Sequence, residues 1–272
     1  MRRSLFKAVV FVLVTLGLSM AAGPIVGIAA ATTGIARAPV WMYSAIVSVL
    51  VLAATAAALR RDGGTLGTLG LAPTGERVGQ LALGFAVGAV AFVLLALVRG
   101  ALVGAQWSFA GWNSVAAAAG GVFLALVLLL PEELLFRGYA FQRVVHAVGA
   151  RPAILISAAL FGVYHVVGTG MWAIGAVFTV AMPALGGVVF GWAAVRTRGL
   201  ALPIGLHLGG NWVSASVLSM HPQSPAMWTA TVTDVQLRTL YAPDLSVHMP
   251  YIIAMVAMTI AIRLALRRQR EA

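Results

Sequence analysis

The chain has no cysteine. Thiol nucleophiles, thiolate metal ligands and disulfides are therefore excluded, and the redox compartment is left undetermined. Charge is scarce as well. Only 9% of the residues are Asp, Glu, Lys or Arg, against about 25% in a soluble domain. Lysine occurs once, as Lys7. No His-Glu-x-x-His zinc motif and no Gly-x-Ser-x-Gly nucleophile elbow is present. The only aspartates, Asp62, Asp234 and Asp244, lie in polar stretches between apolar runs. An intramembrane aspartyl pair is thus excluded too.

What the chain has is apolar length. It is 61% hydrophobic, and its runs reach the roughly 20 residues needed to cross a bilayer. We expect an all-α, polytopic helical membrane protein with about eight transmembrane helices, forming a single integral membrane domain over residues 1–272. The expected spans are 1–31, 39–59, 80–98, 115–146, 152–168, 171–195, 201–220 and 249–266. The first begins like a signal peptide, with Ser19-Met20-Ala21-Ala22 resembling a cleavage site. Its apolar run continues through Pro24 to Ala30, which favours a retained helix. A short turn around Gly168-Thr169-Gly170 joins the fifth and sixth spans. The stretch 116–121 is all Ala and Gly, which permits close helix approach. Two loops are long, 60–79 and 221–248. Neither reads as a soluble domain, and Trp228 and Tyr241 read as membrane-interface anchors.

The basic residues set the orientation. With the N-terminus inside, the inner side holds Arg2, Arg3, Lys7, Arg60, Arg61, Arg77, Arg137, Arg143, Arg151, Arg196, Arg198, Arg263, Arg267, Arg268 and Arg270. The outer side holds Arg37, Arg99 and Arg238, so the 18 basic residues divide 15 to 3. That asymmetry is the positive-inside pattern of an inner (cell) membrane protein with both termini cytoplasmic. It accounts for the net charge of +11 without a nucleic-acid partner.

One stretch breaks the apolar pattern. Residues 122–130 carry no polar side chain, and Pro131-Glu132-Glu133-Leu134-Leu135-Phe136-Arg137-Gly138 follows. A charged side chain deep in hydrocarbon costs roughly 2.5–3.5 kcal/mol on insertion scales, so ionisable groups there mark function. On a helix Glu133 and Arg137 are at i and i+4, the favourable order for an ion pair. Glu132 points about 100° away, and its own i+4 neighbour is Phe136. It is therefore the acid left without a local counter-charge and is the candidate general base.

Two further polar intrusions follow, Phe161-Gly162-Val163-Tyr164-His165 and His207-Leu208-Gly209-Gly210-Asn211. Glu132 and His165 stand nearly equal numbers of residues from a turn near Gly149. In an antiparallel pair both would be roughly 25 Å from it. His207 and Asn211 are at i and i+4, on one helix face. The glycines between them clear space for a helix or a substrate backbone. Taken singly, each feature has a plain structural explanation: a core histidine, a structural ion pair, interhelical hydrogen bonding. Together they form a Glu, His, His, Asn set at matching depth. His146, His221 and His248 read as solvated. Ser157, Thr179 and Ser214 read as helix residues bonded to backbone.

These three motifs resemble those of the CAAX-protease and bacteriocin-processing (Abi) family of intramembrane proteases. The similarity covers about residues 115–215 and extends to Phe136-Arg137-Gly138 and Leu160-Phe161-Gly162. It implies an endopeptidase acting on peptide or membrane-anchored protein substrates in the lipid bilayer. Glu132 and His165 would activate water, His207 and Asn211 would stabilise the oxyanion, and Glu133, Arg137 and Phe161 would support them. The family is often labelled metalloprotease. Glu132, His165 and His207 could hold a divalent metal such as zinc, but His with Asn is an unusual zinc set, and we expect no cofactor. A composition rich in Ala, Gly, Val and Arg reads as bacterial, so a prenylated substrate is not expected. Two other readings stay open. One is a transporter or proton-coupled carrier, which would show inverted repeats, and none is visible. The other is a non-catalytic immunity or scaffold protein.

Overall fold

The computed structural model describes residues 1–33, 40–169, 176–220, 224–240, 242 and 244–271. The Gly168–Gly170 turn falls partly outside these, and Arg37, His221 and Tyr241 fall outside entirely. The described residues are predominantly helical. α1 is Arg2–Thr33, α2 Val40–Arg61, α3 Gly75–Val103 and α4 Trp112–Phe136. α5 is Tyr139–Val148, α6 Ala150–Thr169, α7 Ala176–Thr197 and α8 Ala201–Trp212. The short α9 (Asp234–Leu240) precedes α10 (Leu245–Glu271).

Six helices among the described residues are long and apolar enough to cross a membrane, with α4 and α5 taken together as one. Multi-pass membrane topology thus stands, and the expected count of eight is not confirmed among the described residues. α6 offers only a shorter apolar segment, Ala150–Val166. α8 has 12 residues and is prolonged by a π-helical turn, Val213–Val217. At 1.5 Å per residue such a helix is short for hydrocarbon roughly 30 Å thick. It has no need to meet lipid, because Ala201 to Gly210 are buried throughout.

The expected fourth span, 115–146, is also not continuous. α4 stops at Phe136, Arg137 leaves helical geometry, and α5 starts at Tyr139. α5 then buries Tyr139, Ala140 and Phe141. One feature had no sequence signal: a small three-stranded sheet, β1-β3-β2. β1 (Gln106–Phe109) pairs antiparallel with β3 (Trp228–Thr231), and β2 (Leu218–Ser219) pairs parallel with β3. The long loop 221–248 therefore carries a strand and a helix. Each strand is too short for an alternating pattern to show. Trp228, the expected interface anchor, sits in this sheet against Phe109, with ring centroids 5.4 Å apart.

The two ends of the bundle differ. At one end Asp62 gathers Lys7, Arg143 (3.2 Å) and the Tyr139 hydroxyl (2.8 Å), tying α1, α2 and α5 together. At the same end Arg77 donates to the carbonyl of Thr197 at 2.8 Å, joining α3 to the end of α7. The sheet closes the other end, where α9 reaches α3 through Gln236 Nε2 and the Val103 carbonyl, 2.5 Å apart. We call these the basic end and the sheet end.

α8 runs between two apolar cores. Leu129 and Leu134 of α4 meet Ile204 and Leu208 on one side. Val189 and Phe190 of α7 and Met255, Met258 and Ile262 of α10 meet Leu202 and Leu206 on the other. Against α3 the contact is backbone to backbone. A Cβ on Gly84 would lie 2.4 Å from the Leu202 carbonyl oxygen, and one on Gly88 2.2 Å from that of Leu206. Reciprocally, Gly205 and Gly209 would each meet an α3 carbonyl oxygen, of Leu81 and Phe85, at 2.2 Å. Paired Gly-x-x-x-Gly faces thus lock α8 to α3. Gly209 and Gly210 do clear space for a neighbour. Gly209 fits α3, and Gly210 faces the Phe92 ring.

Candidate active site

The end of α4 supplies both acids. Glu133 and Arg137 are completely buried and pair as expected, Nη1 to Oε1 at 3.0 Å. Such a pair needs more than its own attraction to offset desolvation. Part of that comes from aromatic faces. The guanidinium carbon lies 4.1 Å from the Phe161 ring centroid and 5.3 Å from that of Phe190. Cations are attracted to such faces.

Glu133 does more than balance Arg137. The same oxygen, Oε1, accepts from Nδ1 of His207 on α8 at 2.8 Å. In sequence His207 showed no carboxylate partner, because its partner is 74 residues away. The bond fixes the tautomer. A carboxylate paired with arginine only accepts, so Nδ1 carries the proton and Nε2 is turned away from Glu133. Nε2 lies 3.9 Å from Oε2 of Glu132. That is too long for a direct hydrogen bond and short enough for both atoms to contact one water. Phe190 stacks on the imidazole, centroids 5.0 Å apart and planes 21° apart, and holds its plane.

His165 approaches from α6. Its Nδ1 contacts the Phe161 carbonyl at 2.8 Å, so that nitrogen is the donor and Nε2 the acceptor of the neutral ring. With His207 it lies within electrostatic reach of Glu132. Phe161 is central: its ring contacts those of Phe136 (5.1 Å), His165 (4.5 Å) and His207 (6.0 Å). Asn211 lies one turn beyond His207 and is half-buried. Among the described residues nothing hydrogen-bonds to its amide, and no contact joins it directly to the carboxylates.

The structure thus brings Glu132, Glu133, Arg137, Phe161, His165 and His207 together, with Asn211 at the margin. The remaining histidines stand apart. His146 is exposed on α5. His248 contacts the Ala242 carbonyl and stacks on Phe178 at the sheet end. Ser214 bonds to its own helix, as expected. Ser157 instead donates across to the carbonyl of Phe136 at 2.6 Å, fastening α6 to the end of α4. Sequence reasoning missed Phe190, which has no polar or periodic mark in an apolar run. It also missed Gly84, Gly88 and Gly205, whose four-residue spacings were there to be read.

Residues 114–213 match the family model described as Rce1-like: Type II CAAX prenyl endopeptidase Rce1-like. The matched segment runs from the start of α4 to just past α8 and contains every candidate site residue, in accord with the resemblance seen in the motifs. Comparison with curated proteins gave no match, and neither did comparison with solved structures.

Proposed function

We propose that this chain is an intramembrane endopeptidase that hydrolyses peptide or membrane-anchored protein substrates with a glutamate-activated water. The observation that carries the reading is the handling of one imidazole. Buried Glu133 holds Nδ1 of His207 at 2.8 Å, which leaves Nε2 facing Oε2 of Glu132 at 3.9 Å. A water between them loses its proton to Glu132 as its oxygen bonds to the scissile carbonyl carbon. Glu132 then passes that proton to the departing amine as the C–N bond breaks. The developing oxyanion is met by the Asn211 amide and by His207 Nε2 when that nitrogen is protonated. His165 orients the water. The family match supports the reaction class.

The site works without a metal in this reading. Among the described residues, no three His, Asp or Glu side chains are grouped so that they could hold a metal ion. Glu132, His165 and His207 are the residues that would hold a divalent metal if one binds. Metal analysis of the purified protein tests this. Stoichiometric metal that disappears in His165→Ala and His207→Ala would overturn the glutamate–water mechanism. We place the protein in the cell membrane with the basic end cytoplasmic, since helix direction puts nearly all of the described basic residues there.

The decisive experiment is substrate trapping. Wild type and Glu132→Gln are expressed side by side and the membrane proteome compared. Glu132→Gln keeps the shape and removes the base, so uncleaved substrates should accumulate with it. Identical proteomes from well-folded proteins would remove the protease reading.

A further inference from the structure

At the basic end, α1, α2 and α5 line an open surface pocket of about 330 Å³. It is lined by Arg3, Ser4, Lys7, Arg61, Asp62 and Arg143. Four cations face one carboxylate, and that carboxylate is already shared among three donors. Asp62 already accepts from Lys7, Arg143 and Tyr139. It holds Lys7 and Arg143 in place as walls and, among the described residues, pairs with neither Arg3 nor Arg61. Among the described residues neither of those two has a partner, and Nε of Arg143 is buried without one. A preformed pocket with three net positive charges and free donors fits a phosphate group.

A phosphate group can come from a lipid or from solution. The surface above the pocket decides between them. Phe6, Val10 and Leu13 follow Arg3 at helical spacing and are 69%, 40% and 64% exposed. They form an apolar stripe running from the pocket up α1. A headgroup bound at Arg3 would therefore lay its acyl chain along this stripe. We infer that the pocket between α1, α2 and α5 binds the phosphate headgroup of an anionic membrane lipid. Basic pockets between transmembrane helices are suited to such headgroups. The site lies apart from the Glu132 centre and does not depend on the protease reading.

The test uses the full chain, delipidated in a non-ionic detergent and titrated with phosphatidylglycerol or phosphatidylcholine. Native mass spectrometry counts the lipid retained. Wild type should keep phosphatidylglycerol in preference to phosphatidylcholine. Arg3→Gln/Arg61→Gln should weaken that binding about tenfold or more. Arg267→Gln/Arg268→Gln removes the same charge elsewhere on the basic end and should leave it unchanged. Equal loss in both double variants would make the effect one of bulk charge and overturn the pocket. So would equal retention of the two lipids, or a double variant that binds like wild type. Inorganic phosphate is titrated in parallel. If it binds while phosphatidylglycerol is not retained, the site is one for a soluble anion and the lipid assignment falls. Arg3 and Arg61 support no other side chain, so the double variant should melt like wild type. If it does not, Arg61→Gln alone is put through the same comparison.

Discussion

The lock between α3 and α8 allows a sharp test of how His207 is positioned. Gly88→Ala adds one methyl group on α3, whose Cβ would sit 2.2 Å from the Leu206 carbonyl oxygen, 3.0 Å from its carbonyl carbon and 3.1 Å from its Cα. All three are backbone, so no side chain can swing away. Restoring ordinary contact near 3.4 Å takes a displacement of roughly 1.2 Å. Leu206 adjoins His207, so the shift passes to the imidazole. The 3.9 Å approach of Nε2 to Glu132 and the 2.8 Å bond to Glu133 cannot both survive it.

Two costs follow. Overpacking should lower stability by about 1–3 kcal/mol. A displacement near 1 Å at the reacting groups should lower kcat by about 10²-fold, with a smaller change in KM. Gly205→Ala presses from the α8 side, 2.2 Å from the Leu81 carbonyl oxygen, and should act alike. Gly79→Ala is the control: it lies on the same helix with nothing within 4 Å. The assay is turnover of a peptide reporter built on a trapped substrate, with melting temperatures alongside. A Gly88→Ala protein that melts early yet turns over at the wild-type rate would refute the reasoning. It would mean that α3 yields into lipid and α8 stays in place.

Other outcomes follow from the same geometry. Glu133→Gln leaves Arg137 buried without a counter-charge and should cost about 3–5 kcal/mol, read as a large fall in melting temperature; Glu132→Gln, at a position 21% exposed, should not. Under the proposed oxyanion role, Asn211→Ala should lower kcat by about 10²- to 10³-fold with KM little changed; unchanged turnover would remove Asn211 from the site. Asp62 is held below the usual carboxylate range, first by its hydrogen bond with Lys7, then by Tyr139 and the Lys7 and Arg143 charges, against the opposing effect of burial. A depressed carboxylate contributes stability above its unfolded value, near 3.9, and loses it as pH falls through the lower folded value. Wild type should therefore melt above Asp62→Asn at neutral pH, and the gap should close as the pH falls below the unfolded value; a gap independent of pH would contradict this.

Much of the site could be read from sequence because charge is so costly in an apolar chain. Glu132, Glu133 and Arg137 stood out for that reason alone, and i+4 spacing assigned Arg137 to Glu133. The depth match of Glu132 and His165 arose differently from the count that suggested it. That count assumed one continuous helix from Glu132 to Gly149, whereas α4 ends at Phe136. The depth is set instead by Ser157 bonding to the Phe136 carbonyl, and by Phe136 packing on Phe161 and Tyr164. These are contacts between distant segments with no local signal. The His207–Glu133 bond was hidden for the same reason. The number of spans is not confirmed, because hydropathy does not separate a helix buried in protein from one bathed in lipid, and α8 is buried.

The two adjacent acids divide their work because of how α4 ends. Arg137 is the first residue off the helix, and its backbone N–H still bonds to the Glu133 carbonyl at 2.9 Å. Its side chain turns back one turn to the carboxylate of the same residue. Its cation is thereby directed to Glu133 and away from Glu132. Gly138 then lets the chain leave, since a Cβ there would lie 2.1 Å from the Leu134 carbonyl oxygen. Phe136 contributes the ring that packs on Phe161. Phe136-Arg137-Gly138 therefore stops the helix, neutralises one acid and releases the chain within three residues. Glu132 keeps a carboxylate engaged by no arginine and faces a histidine that Glu133 has already oriented. In the proposed mechanism Glu133 would act through His207, as a positioning residue, and Glu132 would be the acid left to take a proton.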